Sequence, residues 1–211
     1  MTIDLRFADC LKDSPGYAGA MTALAIPGMI SVEDYLVGEE TSGVKHEYVG
    51  GVVHAMAGAT NRHNAIASNA LVTLGGQLRG KTCQSFNSDT KVRVVFTDHV
   101  RFYYPDSMVV CQPNPDADHF QDQPVVIVEV LSESTRRTDL GEKRDAYLSL
   151  PSLKVLLLVE SESCGVVVYR RKKEGGFAIE QYVKGVIPLP EVNVELALEE
   201  LYDRVKFSES A

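Results

Sequence analysis

Hydrophobic residues in the first part of the chain recur at spacings that predict a short helix followed by a hairpin. The stretch SVEDYLVGEE (31–40) has Ser31 as a predicted N-cap and Asp34 at the third helical position, as in a capping box. Two short apolar runs then flank Gly50-Gly51, which is a β-hairpin signal. We therefore expect one helix and one two-stranded hairpin in this region.

A longer helix is predicted after the hairpin, beginning at Thr60 or Asn61 and ending at Gly80. Its apolar residues recur at helical spacing: Ile66, Ala70, Leu71, Leu74 and Leu78. His63 lies in the first turn, where we expect a capping or packing role rather than catalysis.

Alternation with a period of two replaces the helical spacing further along the chain. TKVRVVF (90–96) alternates in a way that predicts a strand with one buried face. The stretches 101–110 and 124–131 are richer in Val, Ile and Tyr, and the second is apolar enough to be a central strand. TDLGEKRDAYLSL (138–150) is predicted to be a helix.

The last part of the chain returns to strands. LKVLLLVE, CGVVVYRR and FAIEQYVK predict three of them, and VELALEELYDRV (194–205) predicts a short amphipathic helix that closes the chain. The order of helix, three strands, helix and strand is an α/β order with a mixed sheet.

Composition places this pattern in an ordinary globular protein. The chain has 211 residues, 45% hydrophobic and 24% charged, which suits a sizeable core. No run reaches about eighteen apolar residues, so no transmembrane helix is expected. Residues 1–28 lack the basic start and long apolar core of a signal peptide, so we predict a leader there and a single domain over 29–207.

The cysteines and the net charge further restrict which class of protein this can be. Cys10, Cys83, Cys111 and Cys164 are scattered without a CxxC motif, so we expect reduced thiols in a cytoplasmic protein, without a disulfide framework or zinc site. The net charge of −8 argues against a broadly basic nucleic-acid binder. Binding of nucleic acid through a local basic groove on an acidic protein stays an alternative.

Two acids interrupt the apolar strands. Asp106 lies between a proline and the run SMVV, and Glu129 lies in the middle of VVIVEVL. Each has an ordinary alternative, a turn start for Asp106 and a solvated strand end for Glu129. Two acids on neighbouring buried strands repel each other unless a positive charge lies between them. A divalent cation with oxygen ligands, Mg²⁺ or Mn²⁺, is the usual solution.

The helix that follows Glu129 can bring a cation to these acids. At about 100° per residue, Lys143 and Arg144 share the face that packs on the sheet, whereas Glu142, Asp145 and Ala146 point away. Either cation can instead extend its head group to solvent. A lysine aimed at the carboxylates would serve phosphoryl chemistry, where it stabilises developing negative charge.

These residues carry a resemblance to a known family. Pro105-Asp106 and the EVL of Glu129–Leu131 resemble the PD-(D/E)xK nuclease signature. Five stretches in order, EYVGGVVHAM, SDTKVRV, YYPDSMVV, VVIVEVLSEST and DLGEKRDAY, resemble the Uma family of putative restriction endonucleases. The likeness runs from about Met29 to the C-terminal strands. It implies a restriction-endonuclease-like α/β core with an N-terminal β-hairpin and extra C-terminal strands.

The resemblance also implies roles for individual residues. Asp106 and Glu129 would hold the metal, with the carbonyl of Val130 as an extra ligand. The signature lysine would stand at Leu131, on the same side of the strand as Glu129, and Lys143 on the helix is the position that matches its substitute in this family. Glu47 would bind a second metal or a water, although a solvated hairpin charge explains it equally well; Asp89 is a weaker candidate.

The expected activity is Mg²⁺-dependent hydrolysis of DNA phosphodiester bonds by an endonuclease. A catalytically inactive nuclease-like module that binds nucleic acid or protein is the main alternative, and an enzyme acting on a small phosphorylated molecule is a weaker one. Clustered cations are candidate contacts to a DNA backbone: Arg136-Arg137, Lys143-Arg144 and Arg170–Lys173. A homodimer would suit double-strand cleavage, but no patch in the sequence identifies one.

Overall fold

The computed structural model of the protein describes residues 28–132 and 136–207. Two compact units divide the chain between Met56 and Ala57, and each is described by itself. Residues 1–27 of the predicted leader lie outside the described residues, and the assignment of 29–207 to a single domain stays a prediction. No helix in the described part of the chain is long and apolar enough to cross a membrane.

The first unit contains the predicted helix and hairpin: α1 (Val32–Thr41), β1 (His46–Val49) and β2 (Val52–Ala55). The Ser31 hydroxyl caps α1 by accepting the backbone N–H of Asp34 at 3.0 Å. The hairpin turns through Gly50 and Gly51 at φ +56° and +99°, a left-handed backbone that favours glycine. Both predictions for this region are confirmed.

The second unit contains the long helix, a kinked helical segment and most of the strands. Its helical elements are α2 (Asn61–Leu78), α3 (Arg136–Thr138), a π-helical segment (Asp139–Lys143), α4 (Arg144–Ser149) and α5 (Leu198–Leu201). Its strands are β3 (Gln84–Asn87), β4 (Lys91–Val95), β5 (Val100–Tyr103), β6 (Ser107–Val110), β7 (Phe120–Gln121), β8 (Pro124–Leu131), β9 (Val155–Glu160), β10 (Val166–Arg171), β11 (Phe177–Tyr182), β12 (Val186–Leu189) and β13 (Val194–Ala197).

A six-stranded mixed sheet with the order β11-β10-β9-β8-β6-β3 organises this unit. The apolar strand β8 pairs in parallel with β9 and antiparallel with β6, so it is central as predicted. Strand β4 pairs antiparallel with β5 and in parallel with β7. The α/β class with a mixed sheet is therefore confirmed.

The two faces of β8 have different neighbours. Val126, Val128 and Val130 belong to the core cluster that α2 completes with Ile66, Ala70, Leu74 and Leu78. The alternate residues Ile127, Glu129 and Leu131 are also buried, but on the opposite face, because side chains alternate along a strand. The carboxylate of Glu129 therefore lies on the face of the sheet opposite α2.

The prediction of a closing helix over 194–205 is wrong for its first four residues. Residues 194–197 form strand β13, which pairs antiparallel with β12, and only Leu198–Leu201 is helical. Val194 and Leu196 are buried while Glu195 is exposed, a period of two that the short run also permits. Pairing with β12 selects the strand.

The prediction of reduced thiols is wrong for Cys83 and Cys111, which form a disulfide. Strands β3 and β6 are antiparallel, with Gln84 opposite Val110. The next residues outward in this register are the two cysteines, so the sheet places them face to face. Cys164 is a free, exposed thiol.

Candidate active site

Sheet register brings the two predicted acids together. Ser107 in β6 lies opposite Val128 in β8, so Asp106, the residue just before β6, lies near the level of Glu129. The charge of Asp106 contributes to the raised pKa of Glu129, so the two carboxylates are close to each other. Asp106 and Glu129 are thus neighbours on adjacent strands, and Glu129 is only 3% exposed.

The Asp106 carboxylate is held by two groups through one oxygen. Its Oδ2 accepts the backbone N–H of Val130 at 2.7 Å and lies 3.3 Å from Nε2 of His63. Burial alone would lower the pKa of His63, but the hydrogen bond to Asp106 and the charge of that carboxylate outweigh it, so the pKa is raised. A role for His63 in packing alone does not account for this contact.

Glu129 is bonded on one oxygen by a cation and a phenol. Its Oε1 lies 3.0 Å from Nζ of Lys143 and accepts the hydroxyl of Tyr147 at 2.7 Å. Burial raises the pKa of Glu129 well above its ordinary value. The Lys143 ammonium opposes that shift, whereas the nearby charges of Asp106 and Asp139 add to it.

Lys143 reaches the acids from a kinked helical segment. The kink is at Gly141, whose φ of −113° and ψ of −106° are not helical. Lys143 is 5% exposed, and its Nζ also lies 3.8 Å from Oδ1 of Asp139 one turn earlier. The prediction that Lys143 faces the sheet is confirmed, and Asp139 joins it as a buried acid that the sequence analysis did not select.

Two other expectations for this helix are wrong. Arg144 does not share the buried face of Lys143: its side chain is 30% exposed and bonds to Asp145. Ala146, expected to point away, is buried. The prediction assumed a regular step of about 100° per residue, and the π-helical segment with its kink breaks that step.

Leu131 occupies the place of the signature lysine as a core residue. It is 2% exposed on the same face of β8 as Glu129. No cation comes from the strand at this position. The ammonium that contacts Glu129 comes instead from Lys143, from a helix rather than from the strand.

The donor set agrees with a magnesium-like ion. Three buried or half-buried acids, Asp106, Glu129 and Asp139, share the neighbourhood of one ammonium and one imidazole. Within residues 28–132 and 136–207, no group of three or more His, Cys, Asp or Glu side chains could hold a metal ion. Mg²⁺ is commonly held by one or two carboxylates and completes its shell with water and substrate phosphates. Asp106, Glu129 and the Val130 carbonyl fit that requirement.

The other predicted residues lie elsewhere. Glu47 is half-buried on β1 in the first unit, opposite His54, and its role stays a prediction. Asp89 is exposed in the turn between β3 and β4, where the Asn87 amide donates to it at 3.0 Å.

The basic clusters expected to meet DNA are largely engaged within the protein. Arg136 forms a bidentate pair with Glu160, at 2.6 and 2.8 Å. Arg170 bonds Glu180 at 3.0 Å, and Arg171 donates to the carbonyls of α4 and the turn after it. Lys172 begins the turn between β10 and β11. These arginines stabilise the fold, so they are weaker candidates for DNA contact.

A solved structure shares this fold. The crystal structure of a putative nuclease belonging to DUF820 from Anabaena variabilis matches with a TM-score of 0.65. The match covers 84% of this chain and 99% of that chain at 16% sequence identity, which establishes a shared nuclease-like fold.

Sequence comparison identifies the family. Residues 32–203 match the Uma2 family, described as putative restriction endonuclease, and the chain belongs to that family. An uncharacterized protein of Synechocystis sp., slr1290, is 32% identical over 180 residues, covering 84% of this chain and 94% of that protein. A second one, sll1609, is 28% identical over 154 residues, covering 72% and 86%. The expected family is confirmed.

Proposed function

We propose that the protein is an endonuclease that hydrolyses DNA phosphodiester bonds with Mg²⁺ or Mn²⁺. The observation that supports this most is the buried contact between Lys143 and Glu129 at 3.0 Å, close to the second acid, Asp106. Two acids and one lysine are the set that the nuclease signature requires, assembled with the lysine on a helix. Membership of the Uma2 family supports DNA as the substrate.

Each residue has a separate task in this proposal. Asp106 and Glu129, with the carbonyl of Val130, would hold the ion. A bound divalent cation supplies a lowered pKa for water and neutralises charge on the scissile phosphate. Lys143 keeps a positive charge at the acids and stabilises the negative charge that develops on the phosphate. Tyr147 fixes the orientation of Glu129 through its 2.7 Å hydrogen bond.

Two finer assignments belong to the same proposal. Glu47 binds a second ion or a water, as its place in the hairpin motif implies. A homodimer would place two such sites on the two strands of a duplex.

Nicking of supercoiled plasmid tests the proposal. Purified wild type should convert plasmid to the open circular form with Mg²⁺, and EDTA should stop the reaction. Asp106→Asn and Glu129→Gln should be inactive, whereas Arg144→Met, a neighbouring cation without contact to either acid, should cut at nearly the wild-type rate. Equal nicking by all four proteins would trace the activity to a contaminant or another site.

An inactive DNA-binding module is the second candidate. The observation in its favour is Leu131, a core residue where the signature has a lysine. A protein of this kind would bind DNA with an affinity that falls steeply as salt rises, and would cut nothing with any divalent ion. Binding and nicking measured on one preparation distinguish the two functions.

A further inference from the structure

His63 has an arrangement that helix capping and core packing do not explain. Its backbone N–H donates to the Thr60 hydroxyl at 3.2 Å, which fixes the residue in the first turn of α2. The side chain is separate from that cap: it is 11% exposed, and Nε2 lies 3.3 Å from Oδ2 of Asp106. The other nitrogen, Nδ1, is buried without a hydrogen-bond partner among the described residues.

A buried polar atom without a partner destabilises the folded protein. An apolar side chain of similar size at position 63 would avoid that cost and fill the same space. The imidazole is therefore better explained by its polar contacts, the Asp106 carboxylate first and the backbone of Val130 second.

That contact selects one oxygen of Asp106. The Val130 N–H and His63 Nε2 both bind Oδ2, and no hydrogen bond or ion pair within residues 28–132 and 136–207 involves Oδ1. Two donors that converge on one oxygen fix the plane of a carboxylate and leave the other oxygen for a ligand. Partners that orient ligands in this way are a general feature of metal sites.

We infer that His63 is a positioning residue that fixes the Asp106 carboxylate for metal binding, a role that rests on the proposed function. It touches neither substrate nor ion; it acts through Asp106. The Nε2–H donor is the part of the side chain that the role requires. Glutamine places an N–H at a similar distance along its side chain, whereas leucine has none.

The test compares His63→Leu and His63→Gln with wild type. Mn²⁺ is titrated into each protein and the free ion is followed by electron paramagnetic resonance. His63→Leu should bind Mn²⁺ about 10- to 100-fold more weakly, the usual effect of losing such a partner, and His63→Gln should recover most of the affinity. Ile66→Val, a change on the apolar face of the same helix, should bind as wild type does.

A second readout needs no metal. The Val130 amide donates to Asp106, so its hydrogen exchange reports how firmly that carboxylate is held. It should exchange faster in His63→Leu than in wild type, while the Val128 amide, in the ladder with β6, changes little. His63→Gln should restore the protection of the Val130 amide from exchange. The glutamine variant therefore tests the role of the N–H donor even if the leucine variant is less stable overall.

The outcomes distinguish the proposed function from the inference about His63. Wild type that binds no Mn²⁺ contradicts the proposed function, and the Val130 exchange still decides whether His63 positions Asp106. Wild type that binds Mn²⁺, with unchanged affinity and unchanged Val130 exchange in His63→Leu, overturns the inference alone.

Discussion

Replacing Lys143 with methionine should abolish cleavage and also lower the stability of the folded protein, because the buried acids lose their counter-ion. The ammonium lies 3.0 Å from Glu129 and 3.8 Å from Asp139, and all three side chains are buried. Methionine keeps a similar length and removes the charge. Glu129 and Asp139 are then left with no ammonium between them.

The expected loss of stability in Lys143→Met follows from the burial of the charges that it leaves unpaired. Removal of one partner of a buried ion pair typically costs about 3–5 kcal/mol, because the remaining charge is desolvated without compensation. Glu129 can reduce that cost by taking up a proton. Burial raises its pKa well above the ordinary value, and loss of the lysine raises that pKa further.

The direction of the pH dependence is fixed by this raised pKa. Between the unfolded and folded pKa values the folded state binds more protons, so stability falls as pH rises. Lys143→Met should therefore lose about 3–5 kcal/mol at about pH 8 and clearly less at about pH 5. The matched control, Arg144→Met, should lose about 0–1 kcal/mol at both, because the pair it breaks is partly exposed.

Urea unfolding of the three proteins in EDTA, at both pH values, measures these differences, and plasmid nicking in Mg²⁺ measures activity. The double variant Glu129→Gln/Lys143→Met should recover part of the lost stability and stay inactive, since the Glu129 charge is gone along with the ligand while Asp139 stays buried. Equal stability of Lys143→Met and Arg144→Met at both pH values would refute the assignment of Lys143 as the buried counter-ion. A loss that grows toward low pH would refute the role given to Glu129.

Three further predictions follow from the same contacts. Leu131→Lys, which restores the signature lysine, should destabilise the protein by several kcal/mol rather than raise activity, because Leu131 is 2% exposed; a normal melt with faster nicking would contradict this. Mg²⁺ at about ten times its dissociation constant should stabilise wild type by about 1.4 kcal/mol. Asp106→Asn keeps an oxygen for the Val130 N–H, so it should melt near metal-free wild type and should not be stabilised by Mg²⁺. A full Mg²⁺ shift of the melting temperature in this variant would show that Asp106 is not a ligand. Tyr147→Phe should lose the hydrogen bond to Glu129 and cut more slowly at every Mg²⁺ concentration, measured as the initial nicking rate; wild-type rates would show that the phenol has no part in orienting Glu129.

Much of this arrangement could be predicted because strands and acids leave strong local signals. A carboxylate inside a Val- and Ile-rich run is unusual enough to mark Glu129, and the order of the five motifs located Asp106 and Lys143. The central position of β8 follows from its apolar residues on both faces.

What could not be predicted depends on contacts between distant segments. The disulfide joins residues 28 positions apart and requires the register of β3 against β6, which composition does not specify. The hydrogen bond from Tyr147 to Glu129 requires the packing of a helix on a strand. His63 and Asp139 gave weaker signals, since a histidine in a first helical turn and an acid four residues before a lysine are both common on ordinary helices.

The assignment depends above all on Asp106 and Glu129 acting together on one divalent ion. Titration of Mn²⁺ into wild type, Asp106→Asn and Glu129→Gln, followed by the electron paramagnetic resonance signal of the free ion, measures this directly. We predict saturable binding by wild type and its loss in both variants, with each variant still folded. Binding that is the same in all three proteins, or absent from wild type, would contradict a metal site at these two acids.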